Sequence, residues 1–445
     1  MKYIMFSKDN CPWCVKAQEL LQGDVTISKV KDTVSMQREL YYLHISAEDI
    51  DNAVTVPQIL QITDEGRAVY IGGYEDLKRS LTPKKKTVFN ANNTGHENSD
   101  YPLFLGDQLG FIDTINSPYP ILDTLYQAQL SQIWNEFEID LTQDRQDMMN
   151  ASPSIVDLMV KTILWQHLAD SIASRSITGI LMDYVSNSDL EAWYNCVALF
   201  ETIHARTYSH IIKQTFSDPT EALREGYADL SVIKRSDILK NSFDDLGNLP
   251  MDASLEEKEE KLFLALIALY MLESLNFMSS FAITFGIAET GRFQGIAQDV
   301  ALICRDEMLH AQGGAEVLKI EMKRKPELFA RLAPKITELF DAVLATELEW
   351  TDYLFSEGRQ VIGLNPKRIK EYVMYMAQPV AVTLNITTEV IKENPLPYME
   401  NYIDSSKIQV AAQELQLTSY LVNSVLPATN MSKCLADLRE GLEYD

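Results

Sequence analysis

Two tetrads in this chain, Glu201-Thr202-Ile203-His204 and Glu307-Met308-Leu309-His310, repeat the pattern Glu-x-x-His. Residues three apart on an α-helix share a face, so within each tetrad a carboxylate and an imidazole converge on one point. A single tetrad of this kind arises by chance and is usually solvated or simply paired. Two of them, each with apolar neighbours, argue for metal ligation. A four-helix bundle closes such a site around two metal ions when each of two further helices adds one carboxylate. Asp170 and Glu273 are the lone acids that stand on strongly apolar helical stretches.

Glu273 follows the run Leu262-Phe263-Leu264-Ala265-Leu266-Ile267-Ala268-Leu269-Tyr270-Met271-Leu272 and precedes Phe277 and Phe281. An unpaired carboxylate there is expensive to bury, and coordination to a cation removes the difficulty. The plainer alternative is a surface glutamate on the polar stripe of the same helix. Asp170 is followed by Ser171 and could instead pair locally. Tyr208 lies four residues after His204 and seven after Glu201, about one turn, roughly 5–6 Å, beyond the imidazole. A phenol so close to an oxygen-activating metal pair can lose one electron, although a tyrosine at that spacing can also be plain core packing. His167 and His210 have no acid three residues before them and read as ordinary helix residues.

A second chemistry stands near the start, in Cys11-Pro12-Trp13-Cys14. A helix opening at this motif would stabilise an anionic sulfur at Cys11, with Lys8 assisting, and Cys14 one turn deeper would resolve a mixed disulfide. Half of a zinc site is the alternative. It needs further ligands, and Cys196, Cys304 and Cys434 are isolated from one another.

The elements that must position these groups fall into two patterns. Strands over 2–7, 25–30, 58–62 and 68–71, with helices over 12–21, 36–43 and 75–81, predict a thioredoxin-like α/β domain over residues 1–82. Residues 83–100, with Lys84-Lys85-Lys86 and Asn90-Ala91-Asn92-Asn93, lack apolar periodicity and read as a flexible linker. From 101 to 415 the pattern is helical, and the ligands fall on segments 154–174, 191–214, 255–289 and 292–320. The fold expected there is an all-α, ferritin-like bundle with a buried metal pair.

A length of 445 residues accommodates two or three domains, and 39 basic against 64 acidic residues give a net charge of −25. That balance argues against a nucleic-acid or anionic-membrane surface. Five cysteines in so long a chain form no disulfide framework, which favours a reducing cytoplasm. Lys2, Lys8 and Asp9 interrupt any signal peptide, and the apolar run 262–272 is too short to cross a bilayer.

The first 80 or so residues resemble glutaredoxin, through Cys11-Pro12-Trp13-Cys14, Thr55-Val56-Pro57 and Gly72-Gly73-Tyr74-Glu75-Asp76-Leu77. The resemblance implies a cis Pro57, pairing of the Val56 backbone with glutathione, and a site lined by Lys8, Trp13, Thr55, Tyr74 and Glu75. Trp13 stands where the family commonly has Tyr, and Tyr74-Glu75 where Cys-Asp is common.

About residues 101–425 resemble the radical-bearing small subunit of class I ribonucleotide reductase. The motifs are Leu168-Ala169-Asp170-Ser171-Ile172, Glu201 through Tyr208, Leu272-Glu273-Ser274, Arg305 through His310 and Ser419-Tyr420-Leu421-Val422. The resemblance implies metal ligation by Asp170, Glu201, His204, Glu273, Glu307 and His310, and a radical at Tyr208. It implies a transfer route through Trp134 and Asp306, and an apolar pocket of Phe277, Phe281 and Ile303. It also implies a homodimer and a separate large subunit that binds the nucleotide. The tail 416–445 would dock that subunit, with Tyr420 relaying the radical and Glu414 assisting proton movement; Tyr420 as a simple docking anchor is the alternative. The donor set leaves two iron ions, two manganese ions or a mixed pair open. A glutaredoxin joined to this subunit would re-reduce the large subunit with glutathione. Two rivals are a ferritin-like iron-binding protein and a dimetal oxidase with its own small substrate.

Overall fold

The computed structural model describes residues 2–21, 24–62, 68–74, 77, 89–90, 93, 95, 101–250, 253–388 and 390–403. The chain forms two compact units, Met1–Thr87 with Pro250–Asp252, and Val88–Leu249 with Ala253–Asp445.

The first unit runs β1 (Lys2–Ser7), α1 (Pro12–Leu20), β2 (Asp24–Lys29), α2 (Thr33–Tyr42), α3 (Ala47–Asn52), β3 (Gln58–Ile62) and β4 (Ala68–Gly72). The sheet order is β2-β1-β3-β4, with β2 parallel to β1 and the β1/β3 and β3/β4 pairs antiparallel. Side chains alternate across a strand, and β1 shows it: Tyr3 and Met5 pack with Ala17 and Leu21, while Phe6 packs with Met36 and Leu40. Helices therefore cover both faces of the sheet. Pro12 opens α1 at a position where its missing N–H is no loss. The expected strands and first two helices are present within a few residues, whereas α3 was not anticipated. Its only local signal is Ser46, whose Oγ accepts the Asp49 amide at 3.2 Å. Of the expected helix over 75–81, only Leu77 falls among the described residues.

The second unit is helical: α4 (Pro120–Leu130), α5 (Thr142–Asn150), α6 (Pro153–Gly179), α7 (Ser188–Thr215), α8 (Pro219–Ala228), α9 (Leu230–Gly247), α10 (Leu255–Met271), α11 (Phe277–Ala288), α12 (Gln294–Arg324), α13 (Pro326–Leu354), α14 (Pro366–Thr383) and α15 (Met399–Ile403). A five-residue π turn, Leu272–Asn276, joins α10 to α11. The helices share one apolar core. Asn187 Oδ1 caps α7 through the Leu190 amide at 3.0 Å. Asp147 and Asp144 cap α12, accepting the amides of Phe293 at 2.8 Å and Ile296 at 2.9 Å. Carboxylates suit the positive end of that helix.

Two expectations change. The segment 255–289 is not one uninterrupted α-helix, because the π turn widens it at Glu273. Nor is its apolar run too short to cross a membrane. Leu255–Ala288 has the length and composition, since Glu273 is a single acid in a run that continues beyond it. Its most apolar window is 94% buried inside the protein, as befits a core helix. Within the expected linker, Asn93 donates to the Tyr101 hydroxyl and the Asp107 carbonyl, each at 2.7 Å, and Phe89 lies 6.4 Å from Phe111.

Candidate metal centre and thiol pair

Four helical segments bring the predicted ligands together. Asp170 comes from α6, Glu201 and His204 from α7, Glu273 from the π turn, and Glu307 and His310 from α12. None is more than 3% exposed. One donor atom from each of Asp170, Glu201, His204 and Glu307 falls within 4.8 Å of the others, and the same holds for Glu201, Glu273 and His310. Glu201 belongs to both groups. Glu307 also faces both imidazoles, at 3.0 Å from His204 Nδ1 and 3.6 Å from His310 Nδ1. With the imidazole rings 5.8 Å apart, these side chains form a donor set that would hold a pair of cations.

The hydrogen bonding fits the same conclusion. Both carboxylate oxygens of Asp170, Glu201 and Glu307, both His310 nitrogens and His204 Nδ1 lack a hydrogen-bond partner among the described residues. Glu201 Oε1 lies only 2.9 Å from His310 Nδ1, so proximity is present without the orientation of a hydrogen bond. Buried polar atoms are seldom left in this state. Burial, reinforced by Glu201 and Glu307, pushes the Asp170 carboxyl well up, and burial does the same to Glu273. Burial alone would pull His204 down, but Asp306 and Glu307 raise it to about 10. Buried carboxylates crowded this closely around two imidazoles form a donor set whose charge bound cations would compensate.

Asp306 organises one side of the cluster. Its Oδ2 accepts the Trp134 indole N–H at 2.7 Å and lies 3.1 Å from His204 Nε2. A proton on Nε2 leaves the Nδ1 lone pair free for a metal. Burial would raise Asp306, but Arg305, His204 and Trp134 hold it below the usual carboxylate range. The Trp134 ring stacks on His204 at 6.1 Å. Arg305, which was quoted in the motif without a role, braces Asp306 at 3.3 Å and donates to the Gln132 carbonyl at 2.8 Å. Its position beside an acid was the available signal.

Tyr208 is wholly buried, and its hydroxyl has no hydrogen-bond partner among the described residues. Burial, then Asp170 and Glu307, push the phenol well above its ordinary range. Phe277, Phe281 and Ile303 are fully buried in the same core, the two phenyl rings 5.5 Å apart. On the far side, Trp193 packs edge-on against His310 at 6.3 Å. A side chain at Gly313 would collide with that indole, so glycine is required there. His167 contacts the Tyr227 hydroxyl and His210 packs on Phe137, both outside the cluster.

In the first unit, Cys11 caps α1 and forms a disulfide with Cys14, whose amide donates to Cys11 Sγ at 3.2 Å. Cys11 Sγ lies 3.8 Å from the Val56 carbonyl oxygen, and the Val56–Pro57 peptide is cis. The Thr55 carbonyl accepts the Gln58 side-chain amide at 2.8 Å. Trp13 is 49% exposed, 5.3 Å from the Tyr74 ring and 4.5 Å from Lys16 Nζ. Lys8 lines one concavity with Cys11 and Cys14. No third metal-ligating group joins the two cysteines among the described residues, which removes support from the zinc alternative. Burial pushes the free Cys196 thiol to about 11 and Cys304 higher still. Glu75, Glu414, Tyr420 and Cys434 lie outside the described residues.

The family model described as ribonucleotide reductase, small chain, matches residues 112–394. Ribonucleoside-diphosphate reductase 1 subunit beta of Escherichia coli O157:H7 is 30% identical over 350 residues, covering 73% of this chain and 92% of that relative. The ribonucleotide reductase R2 subunit from Clostridium botulinum superposes with a TM-score of 0.66 at 18% identity, over 72% of this chain and 98% of the other. The dimanganese(II) NrdF of Streptococcus sanguinis superposes with a TM-score of 0.56 at 20% identity, over 66% and 99%. At these identities the two structures speak for the helical fold.

Proposed function

Because the chain belongs to the family of ribonucleotide reductase small chains, we propose that it makes and stores the oxidising equivalent with which a separate large subunit reduces ribonucleotides to deoxyribonucleotides. One observation carries this reading: six buried ligand side chains, most of them without hydrogen-bond partners, lie in one core with an equally unpartnered tyrosine hydroxyl. A storage protein has no use for that tyrosine.

Asp170, Glu201, His204, Glu273, Glu307 and His310 would hold two iron ions, two manganese ions or a mixed pair. When bound, the metal pair activates oxygen and supplies the oxidising power that Tyr208 receives. Oxidation of Tyr208 removes an electron and its hydroxyl proton together. Asp170 and Glu307 are the carboxylates whose charge bears most on that phenol. The pocket of Phe277, Phe281 and Ile303 excludes water and so prolongs the life of the radical. Outward transfer uses the His204–Asp306–Trp134 hydrogen-bonded path, with Tyr420 and Glu414 continuing it toward the large subunit. Pairing into a homodimer and a cytoplasmic location belong to the same proposal.

The first unit is read as a glutaredoxin domain that works on the large subunit. Each ribonucleotide reduced leaves a disulfide there. The Cys11 thiolate, favoured at a helix N-terminus, attacks it and forms a mixed disulfide. Cys14 displaces the substrate thiol and closes the Cys11–Cys14 bond. Two glutathione molecules then return the dithiol and leave as glutathione disulfide. The Val56 carbonyl beside Cys11 and the exposed Trp13 ring against the half-buried Tyr74 support this reading.

The metal part is tested by anaerobic titration with manganous ion. Two ions per chain are expected, falling to one or none in Glu273→Ala. Near-normal occupancy in that variant removes Glu273 from the ligand set.

A further inference from the structure

Away from the metal cluster, a buried arginine holds the turn on which Glu273 stands. Arg235, on α9, is 3% exposed. Its Nε and Nη2 donate to the two carboxylate oxygens of Glu347, each at 2.7 Å, the two-point geometry of a guanidinium–carboxylate fork. The remaining donors reach the segment after Glu273. Nη1 bonds Ser280 Oγ at 2.7 Å, and Nη2 also bonds Ser279 Oγ at 2.8 Å and the Asn276 carbonyl. Glu347 completes the link by accepting from Asn276 Nδ2 at 2.9 Å and Ser279 Oγ at 2.8 Å.

Asn276 is the last residue of the π turn, and Glu273 is its second. A π turn displaces the backbone hydrogen-bond ladder, and the displaced groups must find other partners. Here both the carbonyl and the side-chain amide of Asn276 are held from outside the helix. The guanidinium also lies 3.4 Å from the Trp165 ring centroid and 4.7 Å from that of Trp350. Trp165 meets Phe277 edge-on at 5.3 Å and stands on α6, five residues before Asp170. One buried side chain thus touches the turn of one ligand and the helix of another.

We infer that Arg235 and Glu347 are positioning residues for Glu273, fixing the π turn so that its carboxylate faces Glu201 and His310. The inference rests on the metal-pair reading above. Other buried carboxylates, such as Asp144 and Asp147, cap α12 instead.

Replacing a buried ion pair by apolar residues of similar volume commonly leaves a fold as stable or more so. Stability and positioning are therefore separable. The full-length Arg235→Met/Glu347→Leu double variant is titrated anaerobically with manganous ion, alongside thermal unfolding and manganese electron paramagnetic resonance. The expected result is an unfolding midpoint at or above wild type and an unchanged first binding event. The second ion should be weakened about 10–100-fold, the usual effect of losing a ligand's supporting partner. The coupled-pair spectrum should give way to the six-line signal of an isolated ion. A second variant, Ser279→Ala/Ser280→Ala, keeps the charges paired and removes two anchors; it should weaken the same ion by a smaller factor, and decides the matter if the first does not fold. A coupled pair at wild-type affinity in either folded variant overturns the inference. So does equal weakening of both ions, which would mean general loosening. Failure of wild type itself to bind two ions would instead overturn the metal-pair reading, and this inference with it.

Discussion

Cys11 and Cys14 open a nine-residue helix beside a half-exposed tryptophan, whereas Tyr208 and the six candidate ligands are sealed among helices of 27 to 31 residues and, for Glu273, a π turn. On the proposed functions, the contrast follows from what each site would have to meet. A dithiol exchanges electrons by direct contact between sulfurs, so it must face solvent and a partner protein. A phenoxyl radical is quenched by such contact and has to be enclosed. Enclosure then demands a relay, which is the part the hydrogen-bonded Trp134–Asp306–His204 path would play. The exposed site depends on one helix terminus and one aromatic pair, and the buried one on contributions from four helical segments.

The sharpest separation of the two sites comes from Cys11→Ser. Glutathione-driven turnover with a matched large subunit should disappear, while metal content and the Tyr208 radical stay at wild-type level. A small dithiol should restore activity, because only disulfide reduction has been removed. Normal glutathione-driven turnover in this variant would show that Cys11 is not the reductant of the large subunit. A smaller effect is expected inside the buried site. Asp306→Asn preserves size but removes the charge that orients His204, and should weaken metal binding about 10–100-fold without altering dithiol reduction. Unchanged affinity would show that His204 is oriented by something else. The smallest effect is at the surface. Trp13→Ala removes an exposed ring contact worth about 1 kcal/mol, so KM for glutathione should rise roughly fivefold with kcat little changed. An unaltered KM would place glutathione elsewhere.

How far the sequence foretold these sites depended on redundancy. Glu201/His204 and Glu307/His310 were legible because helical spacing states the pattern twice, and Glu273 because it is an acid inside an apolar run. Trp134 and Asp306 are 172 positions apart, and no local periodicity announces their hydrogen bond; only the family resemblance pointed to it. The π turn was not legible, since a helix interrupted in this way keeps its apolar composition. The polar residues Asn276, Ser279 and Ser280 in the midst of α11 and its approach were its one trace. Arg235 and Glu347 escaped notice because each looks like a surface charge on an amphipathic helix, and only tertiary packing buries them together. In the first unit, α3 was missed because it is six residues long and its apolar face is only Ala47 and Ile50.

On the proposed function, the buried metal pair and Tyr208 act together to hold an oxidising equivalent. Electron paramagnetic resonance with metal analysis, after aerobic loading with ferrous or manganous ion, tests it on wild type and Tyr208→Phe side by side. Two ions per chain are expected in both proteins, and a tyrosyl radical in wild type alone. An undiminished radical in Tyr208→Phe, or a fully loaded wild type that forms none, would contradict it.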